Sequence, residues 1–465
     1  MPQACDSAPV LYLPIEHVQR ELDGKLLLAI EAVRRGYTVV VGEHERLNRR
    51  IARLPAGAYL YKDCASWQAA KLFPRLQQAG HKVLALDEEG LIFRSEEAYL
   101  RDRVDSTAVR HLDLLFAWGE VQKQVLLKKD DVRPDSIRVV GNPRLDLCRL
   151  TPATHHSRPP FRLLVNTRFT IVNSIKSTAQ TLEALRRLGV IRNPQDEDFY
   201  AAFVARDSIL IKAFVDAVRQ LAQQGNRIDI IVRPHPGEAT SYYASAFAGL
   251  DNVRVDNHTS LTEHLAWADL VLHEGCTTAI EAALMGIPSV ALSPTPPLSE
   301  PLGVPNNFSE CYTEVSDAVA RINALVSTDT SFSPSLDASA MRALENAKGA
   351  YAFERICDEL ATVTLEPAGT RTLTQQLSRS ARLQDIRLSL KSLLYLRLLP
   401  RLRGPAAPMS KRAASFANKQ AKFPLMPASR VRARVDAIAA LHPTATPLDI
   451  RRIDSQTFVL TRGQV

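Results

Sequence analysis

Two stretches of this chain carry residue types that could handle a phosphate: Arg233-Pro234-His235-Pro236-Gly237-Glu238 and His273-Glu274-Gly275-Cys276-Thr277-Thr278. Each directly follows an apolar strand signal, Ile228 to Val232 for the first and Leu270 to Leu272 for the second. Open α/β sheets place ligands at such strand ends. Two prolines restrict the backbone on both sides of His235, so its imidazole points in a defined direction. An imidazole there can donate to a phosphate oxygen or protonate a departing one near neutral pH, with Arg233 as a permanent charge beside it. The bland alternative is a histidine in a proline-shaped turn. In the second stretch, small hydroxyl residues opening a helix offer donors to a phosphate, or simply cap that helix. Glu281, one turn on, reaches a ribose hydroxyl or faces solvent, and Gly286-Ile287-Pro288 closes the helix.

Leu86-Asp87-Glu88-Glu89-Gly90 also ends an apolar strand. Three consecutive carboxylates repel one another unless solvated or paired, and a crowded one has the raised pKa that suits a general base. An acidic turn closed by glycine is the competing reading. Asn166 and Arg168 follow a further strand, Phe161 to Val165, as polar residues at its end.

The elements that position these residues alternate. In residues 1–150, strand signals at Val10–Leu13, Thr38–Val41, Ala58–Tyr61, Lys82–Leu86, Leu114–Trp118 and Ile137–Val140 are separated by helical stretches such as Gly24–Arg35. That alternation predicts βαβ units and a parallel sheet. Thr151 to Pro160, with His155 and His156 among prolines, reads as a linker. A second alternating block spans 161–362. It has a long helical insertion (Ser174–Leu188, Asp196–Gln224), strands at Ile228–Val232, Val253–Val255, Leu270–Leu272 and Ser289–Leu292, and a final helix at Ala347–Leu360. The expected fold class is therefore α/β, with two Rossmann-like domains and a basic, partly helical extension over 363–465.

That extension carries 18 Lys/Arg against 5 Asp/Glu, in a chain whose totals are 58 and 50, so the body is mildly acidic and the tail basic. Leu383, Ile386, Leu390, Leu393 and Leu394 recur at helical spacing among Arg382, Arg387, Lys391, Arg397, Arg401 and Arg403. This basic amphipathic pattern over 371–404 fits an anionic membrane surface, or a helix packing its leucines on the body. Pro400, Pro405 and Pro408 then predict a loop. The tail's aromatics, Tyr395, Phe416, Phe423 and Phe458, form no nucleic-acid module, and no nucleic-acid partner is expected.

An acidic-acidic-Gly motif in the first lobe, with an HP motif and a Ser/Thr pair in the second, resembles the set shared by bacterial sialyltransferases. Capsule Kdo transferases carry related HP and Ser/Thr elements. The wider pattern is also similar to bacterial surface carbohydrate biosynthesis proteins, through Glu21-Leu22-Asp23-Gly24-Lys25, Trp118-Gly119-Glu120 and Gly141-Asn142-Pro143-Arg144-Leu145-Asp146. The resemblance covers about residues 8–360. It implies a GT-B-like fold and a glycosyltransferase moving an acidic sugar from a CMP-activated donor to a surface polysaccharide or lipid-linked glycan acceptor. Residues 1–150 would be the acceptor side and 161–362 the donor side. By position, Glu88 would be the base that activates the acceptor, with Glu89 second, and His235 would assist departure of the phosphate. Arg233, Pro236, Gly275, Cys276, Thr277, Thr278 and Glu281 would hold the donor; Asn166 and Arg168 would hold its carboxylate or merely face water. Retaining members of the resembling set place an acid just after the first strand of the second lobe. Here Val165-Asn166-Thr167-Arg168-Phe169 has none, which favours direct displacement with inversion.

A UDP-sugar or CDP-polyol-phosphate transferase, and a non-catalytic polysaccharide-assembly protein, are the competing readings. Six scattered cysteines without a CxxC pair argue against a zinc ribbon and for a reducing compartment. No metal and no cofactor are expected. With no secretory signal and no spanning apolar run, the expected location is cytoplasmic, and the membrane-binding reading of the tail would place the protein peripherally on the inner membrane face.

Overall fold

The computed structural model describes residues 7–151, 160–327, 338–379, 381–398, 411–442 and 447–463. Most of the expected linker, with Pro152, His155, His156 and Pro159, lies outside the described residues. So do Arg401 and Arg403 and the loop expected at Pro400, Pro405 and Pro408. The side chains of Arg382, Leu383 and Arg397 are likewise outside the description.

The chain forms two compact units. One comprises Met1–Leu91, Glu97–Leu150 and Leu344–Val465; the other comprises Ile92–Glu96 and Thr151–Ala343. In the first unit β1 (Val10–Ile15), β2 (Thr38–Glu43), β3 (Ala58–Tyr61), β4 (Lys82–Leu86), β5 (Leu114–Ala117) and β6 (Ile137–Val139) are parallel, in the order β2-β1-β3-β4-β5-β6. Nearly every residue of these strands is buried, as a parallel sheet covered on both faces requires. The order reverses between β1 and β3.

In the second unit β7 (Phe161–Asn166), β8 (Ile228–Arg233), β9 (Val253–Val255), β10 (Leu270–His273), β11 (Ser289–Leu292) and β12 (Glu310–Tyr312) run parallel in the order β9-β8-β7-β10-β11-β12. This is the doubly wound dinucleotide-fold order, reversing between β7 and β10. The two Rossmann-like α/β sheets expected from the alternation are both present.

Helices that bear on the sites are α1 (Val18–Arg34) and α2 (Pro143–Leu150) in the first unit, and α3 (Thr178–Arg187), α4 (Pro194–Ala222) and α5 (Thr278–Leu284) in the second. The expected insertion is thus two helices with readable starts. Ser177 and Gln180 form a reciprocal capping box on α3, while Asn193 caps α4 ahead of Pro194 in its first turn.

Residues 344–465 depart from the expected boundaries. The helix read as the end of the second block is α6 (Ala352–Ala361), and it belongs to the first unit. It buries Phe353, Ile356, Cys357 and Leu360 and packs on α1. Asp146 on α2 holds its start, accepting from Phe353 N at 3.0 Å and from Asn346 Nδ2 at 2.6 Å. The extension is no separate appendage either. After α7 (Thr370–Ser378), α8 (Ala381–Ser392), α9 (Lys411–Lys422) and α10 (Ala428–Leu441), a hairpin of β13 (Leu448–Asp454) and β14 (Thr457–Arg462) pairs antiparallel with β2 and extends the first sheet to eight strands. Phe458, Val459 and Leu460 are buried there, which is why this segment joins the core despite its basic neighbours.

Candidate functional site

Each unit gathers charged side chains at the carboxyl ends of its strands. In the first unit, four motifs that look unrelated in sequence meet there. Glu21 and Lys25 lie one turn apart on α1 and face Glu88 beyond β4: Lys25 Nζ is 3.4 Å from Glu21 Oε2 and 3.3 Å from Glu88 Oε1, and it donates to Pro14 O at 2.7 Å. Trp118 is buried beneath this loop and donates from Nε1 to Asp87 O at 2.6 Å. Asn142, Pro143 and Arg144 line the same small cavity as Glu21, Lys25 and Glu88. Gly24 makes the approach possible, because a Cβ there would lie 2.8 Å from Arg144 N.

The acidic triplet is not a cluster of crowded carboxylates. Asp87 is bound by Arg103 and accepts from Glu89 N at 3.0 Å, which makes it a brace for the loop. Glu89 is half exposed between Arg20 at 2.9 Å and Arg103 at 3.3 Å. Burial works against its ionisation, but these arginines outweigh that and hold it below the usual carboxylate range. Glu88 is 7% exposed, and burial pushes its pKa up against the pull of Lys25. The raised carboxyl expected of a general base therefore exists at Glu88, with burial as its main cause and Glu21, rather than the neighbours in the triplet, as the carboxylate that adds to it. Glu89 lacks it.

In the second unit, the candidate residues converge where the strand order reverses. Asn166, at the end of β7, donates from Nδ2 to Cys276 Sγ at 3.0 Å, and its Oδ1 lies 3.5 Å from Arg233 Nη1 at the end of β8. Among the described residues Arg233 makes no ion pair, and its Nε is buried without a hydrogen-bond partner. Burial lowers its pKa against the weak pull of Cys276, Glu281 and Asp256. A largely desolvated cation without a counter-ion at a switch point is suited to accept an anion.

Thr277 sits at the N-cap of α5 without capping it through its side chain, whereas the Thr278 hydroxyl is buried against Cys276 Sγ at 3.3 Å. Gly275 has φ +54, and its N–H donates to Asn306 Oδ1 at 2.9 Å. Glu281 is buried on the first turn of α5.

His235 and Pro236 are exposed. The His235 Nδ1 accepts from Gly237 N at 3.1 Å, which leaves Nε2 as the ring's N–H. What fixes this loop is Glu238, 1% exposed, which accepts from His235 N, Thr167 Oγ1 and Tyr243 Oη at 2.9, 2.9 and 2.6 Å.

Arg168 is paired with a carboxylate of its own unit. It donates to Glu274 Oε2 at 2.6 Å and to Glu274 O at 2.9 Å, while Arg206 on α4 takes Glu274 Oε1 at 2.5 Å. Burial opposes ionisation of Glu274, yet the two arginines keep it below the usual range. Glu238 and Glu274 thus bring carboxylates next to Thr167 and Arg168, where the sequence has none, and both are fully engaged in holding loops. Beside them Asp207 is completely buried, with both carboxylate oxygens lacking hydrogen bonds and its pKa pushed up by burial to about 6. Glu21, Lys25, Glu238, Glu274, Arg206 and Asp207 were not among the candidates. The first four lie inside quoted motifs, while Arg206 and Asp207 sit in a helix with nothing local to mark them.

No family model and no curated protein matches the chain. Among solved structures, a UDP-N-acetylglucosamine 2-epimerase aligns at 14% identity and TM-score 0.49, covering 78% of this chain and 98% of that one. MnaA from S. aureus, solved with UDP, aligns at 14% identity and TM-score 0.47, covering 78% and 99%. The UDP-GlcNAc 2-epimerase from Neisseria meningitidis, bound to UDP-GlcNAc, aligns at 12% identity and TM-score 0.45, covering 76% and 100%. The architecture of this chain is read from its own strand pairings.

Proposed function

We propose that this chain is a sugar-nucleotide enzyme of polysaccharide assembly, a glycosyltransferase in which the second unit holds the nucleotide phosphate and Glu88 of the first acts as base. The observation that carries this reading is Arg233, a partly buried cation at the switch point that makes no ion pair among the described residues and whose Nε lacks a hydrogen-bond partner, beside Asn166, which in turn bonds Cys276. His235, exposed and with Nδ1 accepting from Gly237 N, is the group to protonate or bind the departing phosphate.

A UDP-linked sugar is the favoured donor over a CMP-linked acidic sugar. Of the two residues expected to hold an acidic sugar's carboxylate, Asn166 and Arg168, Arg168 donates to Glu274, which leaves Asn166 alone for that role. The solved chains above are named for UDP and UDP-GlcNAc; for this chain the reading rests on Arg233 and Arg168.

The test is calorimetric binding of UDP, UMP, CDP and CMP to the intact protein and to Arg233→Ala. UDP should bind tightest, and Arg233→Ala should weaken it by about 10-fold to 100-fold, the loss of one charge-assisted contact. If CMP binds tightest, the donor assignment reverts to a CMP-sugar. If no nucleotide binds, the enzyme reading fails and a non-catalytic assembly role takes its place.

A further inference from the structure

The basic tail divides into a part that packs and a part that does not. Leu373 and Leu377 of α7 and Ala381 at the start of α8 are buried in the first unit. Further along, Ile386, Leu390, Leu393, Leu394 and Leu398 are 56%, 59%, 44%, 43% and 42% exposed. They recur at three- and four-residue spacing along α8 and the helical turn Leu393–Leu398 that continues it, and so share one face. Arg387 and Lys391 are exposed along the edge of that face.

The segment is nonetheless anchored. Asp385, the single acid between 371 and 398, is turned onto the body, accepting from Ser455 N at 3.0 Å and Ser455 Oγ at 2.6 Å. Tyr395 packs on Phe416 of α9 with ring centroids 5.8 Å apart. Through Lys419 with Glu45 at 2.6 Å and Lys422 with Glu16 at 2.5 Å, α9 is tied to the carboxyl ends of β1 and β2. The segment's acid thus faces inward, while Ile386, Leu390, Leu393, Leu394 and Leu398 and the cations Arg387 and Lys391 are exposed.

We infer that the face formed by Ile386, Leu390, Leu393, Leu394 and Leu398 docks on an anionic lipid bilayer. A row of leucines bordered by cations inserts its apolar face at the headgroup boundary while the cations meet lipid phosphates. Charge decides this occupant over a second copy of the chain: two such faces would oppose Arg387 and Lys391 to the same cations. This inference goes beyond the proposed function and does not depend on it. Among the described residues no helix is long and apolar enough to cross a membrane, so the attachment is peripheral.

The experiment is flotation of the full chain with vesicles of phosphatidylglycerol and phosphatidylcholine in equal parts, and of phosphatidylcholine alone. The wild type should float with the anionic vesicles and stay behind with the neutral ones. Leu390→Glu with Leu394→Glu should abolish flotation while leaving circular dichroism and melting unchanged, since both side chains are exposed. Arg387→Gln with Lys391→Gln, which leaves the apolar face intact, should weaken partitioning by about 30-fold at low salt. Absence of wild-type flotation, or flotation of the double-glutamate variant, overturns the inference. So does a wild-type dimer in sedimentation that the double-glutamate variant breaks without any vesicle binding.

Discussion

Lys25 and Glu88 form a buried ion pair, Nζ to Oε1 at 3.3 Å, with both side chains 7% exposed. Glu21 shares the same ammonium, so one cation serves two carboxylates and Glu88 carries the raised pKa. Removing the cation should be more damaging than removing the pair. Lys25→Met is expected to cost about 3–5 kcal/mol of stability, because it strands buried charge. Lys25→Met with Glu88→Gln should recover part of it. Chemical denaturation of the single and double variants measures the coupling, and additive losses would show that the pair does not interact.

Glu88 and Glu89 are adjacent in sequence and opposite in character. If Glu88 is the base, Glu88→Gln should lower kcat by about 100-fold or more. Glu89→Gln should stay within a few-fold. Turnover should fall in acid as pH drops through the raised pKa of Glu88, and that limb should vanish in Glu88→Gln, whereas Glu89, held low by arginines, should leave the profile unmoved. A pH–rate profile unchanged by Glu88→Gln would remove it from the chemistry.

All the parallel strands but Glu310–Tyr312, which is only partly buried, were legible because strands buried on both faces read as short apolar runs, as in Ile228 to Val232. The His235 loop and the Cys276–Thr278 turn were legible as polar breaks after such runs. Partner choice was not. Arg168 reads as a ligand-binding arginine because nothing nearby in sequence opposes it, and Glu274, which takes it, is 106 residues away. The helix at Ala352–Ala361 carries a correct helical signal but no local mark of which sheet it covers. That is decided by Asp146 and Asn346, 200 residues apart. The hairpin at 448–462 was hidden by arginines at its exposed positions, which mask the alternation on its buried side.

Asp207 gives the second unit a pH signature. Its carboxyl titrates at about 6 when folded and near 3.8 when exposed, so the acid form is favoured by folding. The stability it contributes is complete below 3.8 and is lost as pH rises through about 6. Asp207→Asn cannot ionise, so it should exceed the wild type at pH 8 by about 2–3 kcal/mol and match it near pH 4. Equal differences at the two pH values would show that burial does not raise this group.

Gly141 has φ +88, and a Cβ there would fall 2.1 Å from Asn346 Oδ1, the atom that accepts from Asn142 N. Gly141→Ala should therefore detach the Asn346 clamp and lower stability by about 1–3 kcal/mol. Proteolysis should then cut between 343 and 352 sooner than in the wild type. Wild-type cleavage kinetics would show that the clamp tolerates the methyl group.

The hairpin of β13 and β14 sets an order of events during synthesis. Every strand of the second unit among the described residues lies between 161 and 312, one run that can pair as soon as it leaves the ribosome. The first unit starts earlier yet must wait, because the strand that closes its β2 edge lies at 457–462. Until then β2 offers an open row of backbone donors and acceptors to any neighbouring chain. The unit translated second is thus placed to fold first, while the first-made sheet keeps its β2 edge open to mispairing until the hairpin arrives.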